Sequence, residues 1–195
     1  MKKPLILSLA LILISTISFA QKDKKKIIAD LDAKKDHYKE IAKELWTNPE
    51  LGYLEENSSA LLQSELKKEG FTIEKGVAGI PTAFTATYGS GSPVIGVLGE
   101  FDALPGMSQD AVPFRKARVA GAPGQACGHH LFGTGSMAAA IAAKDYLKES
   151  GKSGTIRFYG TPAEEGGSGK VYMVRAGLFD DVDAIVSWHA GDRNA

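Results

Sequence analysis

Three stretches of this 195-residue sequence place acid–base or metal-binding side chains directly after an apolar, strand-like run. Asp102 follows PVIGVLGEF, Glu164 and Glu165 follow TIRFYGTPA, and His189 follows AIVSW. A fourth segment, Cys127-Gly128-His129-His130, opens an alanine-rich stretch that reads as a helix. Thiolate, imidazole and carboxylate together suit zinc or a similar first-row ion. Two adjacent carboxylates repel unless something positive holds them. An ion can ligate one of them and leave its neighbour free as a general base. Amide hydrolysis needs such a base, because the attacking water must lose a proton and the departing amine must gain one.

Each residue also has a plainer reading. Cys127 alone would be a buried thiol, and as the single cysteine it cannot form an internal disulfide. His129 and His130 could be surface residues. Adjacent histidines in one turn rarely bind the same ion, so one of the pair is expected to be a supporting group. Glu164-Glu165 could be a solvated loop pair, His189 a satisfied core histidine, and Asp102 a turn residue ahead of Pro105. It is the set that points to a metal centre. Other motifs fall away. GTGSMA at 133–138 lies inside a helix and not at a strand end. GGSGK at 166–170 has Glu164 where a phosphate loop needs its first glycine, and Val171 where it needs Ser or Thr. Neither Ser136 nor Ser168 sits in Gly-x-Ser-x-Gly.

The elements that must hold these residues alternate. Residues 23–46 show helical apolar spacing among lysines interleaved with acids, a solvated face, and Asn48-Pro49 ends them. Ser58 or Ser59 is expected to cap a helix through Lys68, stopped by Gly70. Strands are expected at 71–74, 82–88, 93–98, 155–159 and 184–188, the last as a core strand. Helices are expected at 131–148 and 170–176, and a proline-bearing loop at 105–124. This order predicts an α/β fold with a mainly parallel central sheet flanked by helices. In such sheets ligands bind beyond the carboxyl ends of the strands, where the candidate residues lie.

Composition narrows the partners. Lys+Arg and Asp+Glu both count 23, which gives no basic excess for a nucleic acid. Residues 1–20 carry Lys2 and Lys3, an apolar stretch from 5 to 14, and Ser18-Phe19-Ala20. They read as a signal peptide cleaved before Gln21, too short in its apolar part for a membrane anchor, which needs about 20 residues. An exported chain, periplasmic or extracellular and without stable membrane insertion, is expected, with residues 21–195 as its catalytic-domain portion.

The motifs NPELGYLEENSS at 48–59, GEFDALPG at 99–106, GQACGHHLFGTGSMAAA at 124–140, GTPAEEGGSGKVYM at 160–173 and SWHAGDRN at 187–194 resemble, in this order, the dinuclear metallopeptidase and aminoacylase family that includes the auxin-conjugate amidohydrolases. The resemblance implies two divalent ions, zinc or manganese. It implies Cys127, His129, Glu165 and His189 as ligands, with Cys127 bridging, Glu164 as general base, and Asp102 as an acid supporting the ligands. Glu100 stands where other branches of the family carry a histidine ligand and is not expected to ligate. His130 replaces a more usual Asn or Asp. The implied substrate is an N-acyl or aminobenzoyl amino acid or a small peptide. Family members are about twice this long, with an inserted domain that often dimerises and a last histidine ligand near the C-terminus. The chain is therefore expected to be an N-terminal part of a homodimeric enzyme, the alternative being an inactive remnant that at most binds metal.

Overall fold

A computed structural model describes residues 23–191, so the leader expected at 1–20 and the last residues of the final motif lie outside it. The chain divides into two compact units, Met1–Asp36 and His37–Ala195. Within the first, residues 23–33 form helix α1. Lys26 and Asp30, one helical turn apart, pair there at 2.7 Å. The continuous helix expected over 23–46 is interrupted by a turn at Lys34, and α2 runs over Lys35–Thr47.

In the second unit, α2 buries Ile41, Ala42 and Leu45, and α3 (Glu56–Lys68) buries Leu62 and Leu66. The start of α3 corrects an expectation. Ser58 and Ser59 lie inside the first turn, not at the cap. The orphan N–H groups there are satisfied from outside by Glu50, whose carboxylate accepts from the backbone N–H groups of Asn57 and Ser58 at 3.1 and 2.8 Å.

The sheet contains β1 (Thr72–Lys75), β2 (Phe84–Ser90), β3 (Val94–Gly99), β4 (Gly154–Gly160) and β5 (Ala184–Val186), in the order β1-β2-β4-β3-β5. β4, β3 and β5 run parallel; β1–β2 and β2–β4 pair antiparallel. The α/β architecture is as expected, but the sheet is mixed. The parallel half arises because α4 (His129–Ser150) carries the chain over from β3 to β4. β5 is short and exposed: it leaves Ile185 45% and Val186 55% accessible. Among the described residues it pairs only with β3.

Alternation along β4 divides the core. Ile156 and Phe158 enter a cluster with Leu45, Leu62, Phe101 and Met137 on the α4 side, while Tyr159 joins Val77, Ile80 and Met173 on the opposite face. Met173 comes from α6 (Gly169–Arg175), which follows the short turn α5 (Glu164–Gly167). The contact that positions the chemistry is between α4 and the end of β3. A Cβ on Gly133 would stand 2.6 Å from the Glu100 carbonyl oxygen. Only glycine lets the first turns of α4 lie this close to the β3 terminus, and the glycines of GTGSMA thus have a packing role.

Candidate metal centre

The segment after β3 passes under the start of α4, and this sets the first contacts. His129, the first residue of α4, is fully buried. Its Nδ1–H donates to Asp102 Oδ1 at 2.9 Å, which fixes the ring and turns Nε2 toward Glu100 and Glu164. Gly128, at φ 85°, makes the left-handed step between Cys127 and His129; a side chain there would meet Ala190.

Asp102 has a second duty. Its Oδ2 accepts the backbone N–H of Glu165 at 2.8 Å. One buried carboxylate therefore ties the GEFDALPG segment to both the α4 start and the Glu164-Glu165 turn. That turn is strained: Ala163 and Ser168 on either side have φ of 54° and 55°, a region that costs non-glycine residues about 1–3 kcal/mol. Ala163 is held there by Glu55, which is fully buried and accepts its backbone N–H at 2.8 Å while Thr82 donates its hydroxyl to the other oxygen. Burial pushes the Glu55 carboxyl up, and Asp102 adds to the rise, against the lowering from these hydrogen bonds. Tyr53 donates its hydroxyl to the Gly167 carbonyl at 2.5 Å from the other side.

His189 arrives through the segment after β5. Trp188 Nε1–H donates to Ser136 Oγ of α4 at 3.1 Å. This brings His189 Nε2 to 3.4 Å from Cys127 Sγ, with its ring edge-on to His129 at 5.5 Å. Two groups of donors result, each with its atoms within 4.8 Å of one another: Cys127, His129 and His189, and Glu100, His129 and Glu164. His129 belongs to both.

The structure thus brings together Asp102, Cys127, His129, Glu164 and His189. Glu165 lies in neither group of three; its carboxylate instead faces the Cys127 thiol, which burial and then Glu165 push up to about 11. His130 is in no group. Its Nδ1 is buried and unpartnered, and burial with the His129 charge lowers its pKa to about 4, so it is neutral. Burial also works against charge on His129, but Asp102 and Glu100 outweigh it and raise its pKa to about 10 with no ion bound. Sequence reasoning missed Lys170, whose Nζ lies 2.5 Å from Glu100 Oε1, and Glu55. Both lie within motifs already singled out, but neither directly follows an apolar strand-like run, the signal that marked Asp102, Glu164-Glu165 and His189.

The donors fit a divalent centre on the structure's own terms: buried Nε2 of His129 and Oε2 of Glu100 make no hydrogen bond, and polar atoms so placed are rare without a partner. Around them stand the carboxylates of Glu100, Asp102, Glu164 and Glu165, with Lys170 as the nearby ammonium. Asp102→Asn is expected to weaken metal binding roughly 10–100-fold, the usual cost of losing a partner that orients a ligand. A chelator-competition titration checks this, and unchanged affinity would deny Asp102 its orienting role.

Residues 96–195 match the family model described as peptidase family M20/M25/M40. The chain is 49% identical over 160 residues to a subunit of p-aminobenzoyl-glutamate hydrolase from Escherichia coli strain K12, covering 82% of this chain and 33% of that protein. It is 34% identical over 154 residues to IAA-amino acid hydrolase ILR1-like 5 of Arabidopsis thaliana, covering 78% and 34%. Among solved structures, the Bacillus subtilis YXEP protein, a dinuclear metal binding peptidase, superposes with a TM-score of 0.70 at 26% identity over 82% of this chain and 44% of that one. The chain spans about a third of the length of these two curated relatives.

Proposed function

The chain belongs to peptidase family M20/M25/M40, and from that premise we propose that it serves the metal-dependent hydrolysis of an amide bond in an N-acyl or aminobenzoyl amino acid or small peptide. The observation that carries this reading is the convergence of two donor groups on one buried histidine, His129. In it Cys127, His129 and His189 would hold one divalent ion, and Cys127 with Glu165 would contribute to a second, zinc or manganese. When bound, the ions supply Lewis acidity, lowering the pKa of water and polarising the scissile carbonyl.

The protein's own residues do the rest. Asp102 keeps the His129 ring and the Glu165 backbone in place through its two oxygens. Glu164, with its side chain 44% exposed and Oε2 4.0 Å from His129 Nε2, takes the proton of the attacking water and returns it to the departing amine. A cavity of about 790 Å³ between the end of α2 and the 105–124 loop borders the Cys127 segment at Gln125 and Ala126. Arg115 and Arg118 line it, which suits a substrate bearing a carboxylate. The proposal includes export, from the leader read at 1–20, and a homodimeric whole protein, from the family resemblance.

Incubation with p-aminobenzoyl-glutamate and hippurate tests the reading. Hydrolysis of at least one is expected, lost on treatment with a chelator and restored by Zn²⁺ or Mn²⁺. Metal-loaded protein that binds the ions but hydrolyses no N-acyl amino acid would overturn it.

A further inference from the structure

We propose that Glu100 is a further ligand of the metal centre, placing Oε2 on the ion that His129 Nε2 holds, while Lys170 grips its other oxygen. This rests on the metal-dependent reading above and runs against the sequence expectation that Glu100 does not ligate.

Glu100 follows β3 directly and is 5% exposed. Its two oxygens are differently placed. Oε1 lies 2.5 Å from Lys170 Nζ. Oε2 lies 2.9 Å from His129 Nε2 as an ion pair, and neither of these buried atoms makes a well-aligned hydrogen bond. Once His129 gives up its proton, a buried carboxylate oxygen and ring nitrogen facing each other are costly unless a cation replaces that proton between them. Donors that share one ion at about 2.0–2.2 Å, with angles near 90–110°, stand roughly 2.8–3.6 Å apart. The observed 2.9 Å is within that range and is also the distance of a direct ion pair. Glu164 Oε2, 4.0 Å from the same nitrogen and on the open side, is the more distant oxygen and stays off the ion as the base.

Lys170 decides how Glu100 binds. With Oε1 held by the ammonium, only Oε2 is free, so the carboxylate is restricted to one oxygen and cannot chelate. The plainer account makes the Glu100–Lys170 pair a salt link between the β3 end and α6, with Glu100 merely orienting His129. The two accounts differ in whether Glu100 touches the ion.

Titration with Co²⁺ separates them, because its visible ligand-field bands report the donor set and the geometry. The protein is compared with Glu100→Gln and Lys170→Gln. Glu100→Gln should change the Co²⁺ bands and weaken binding by more than the roughly 10–100-fold that loss of a supporting partner costs. Lys170→Gln, which frees Oε1, should weaken binding less and shift the bands toward those of a chelating carboxylate. If Glu100→Gln does not fold, Glu100→Asp, which keeps the charge but withdraws the oxygen by one methylene, gives the same readout. Unchanged bands in the Glu100 variant, whatever its affinity, overturn the inference and leave the metal centre standing. Failure of the unaltered protein to bind Co²⁺ overturns both this inference and the metal centre of the proposed function.

Discussion

Replacing Glu164 by Gln is expected to lower turnover by about 10²–10⁴-fold, the range in which positioned general bases act, while bound metal stays at its original level. Glutamine keeps the size and one acceptor oxygen but cannot take up a proton at neutral pH. The strained turn should survive the change, because it is held through backbone groups: the N–H of Ala163 on Glu55 and the N–H of Glu165 on Asp102. The neighbouring substitution is the control. Glu165 faces the Cys127 thiol, so Glu165→Gln should reduce bound metal, and turnover should fall with it. Rate and metal content measured on the same preparations separate the two carboxylates. If Glu164→Gln lost metal and Glu165→Gln kept it, the roles would have to be exchanged. If Glu164→Gln kept its full rate, no base would remain to assign.

Much of this centre could be read from the sequence because strand ends are legible. An apolar run followed by Asp102, by Glu164-Glu165 or by His189 marks a residue at the carboxyl end of a strand, and three such ends in one sheet must face one crevice. Cys127 and His129 were readable because the alanine-rich pattern begins beside them. What escaped depends on three-dimensional pairing. Nothing along the chain says that Lys170 on α6 reaches back to Glu100, or that Glu55 supports the backbone at Ala163; these are contacts between distant segments. The sheet's mixed character escaped for a related reason. The alternation of strand and helix accounts for the crossover through α4, but β2 enters beside β4 with no helix to mark its direction. Local helix propensity likewise passed over the turn at Lys34.

The electrostatics of the site yield a second large effect, in the pH dependence of metal binding. A thiol and an imidazolium bind an ion only after losing a proton. With no ion bound, burial and nearby carboxylates push Cys127 up to about 11, and Asp102 and Glu100 hold His129 at about 10 despite its burial. Both are therefore protonated at pH 7.5, and an ion taking both should release two protons. An ordinary histidine, with a pKa near 6.5, would already be neutral there and would release almost none. Apparent affinity should accordingly rise about 100-fold per pH unit from pH 7 to 9. Stability of the ion-free fold should move the other way. Each raised pKa means that the folded state holds its proton more tightly than the unfolded chain. The His129 contribution is then complete below about pH 6.5 and lost as pH climbs through about 10. The corresponding Cys127 contribution is lost between about pH 8.5, the ordinary thiol value, and about 11. Calorimetric titration with Zn²⁺ in buffers of different ionisation enthalpy counts the protons directly. Two are expected for the unaltered protein at pH 7.5 and one for Cys127→Ser. Asp102→Asn should also release fewer than two, because His129 then loses the carboxylate that holds its proton. A count near zero at pH 7.5 in the unaltered protein would mean that Cys127 and His129 are not both ligands, and the assignment of the centre would fail at its two best-placed donors.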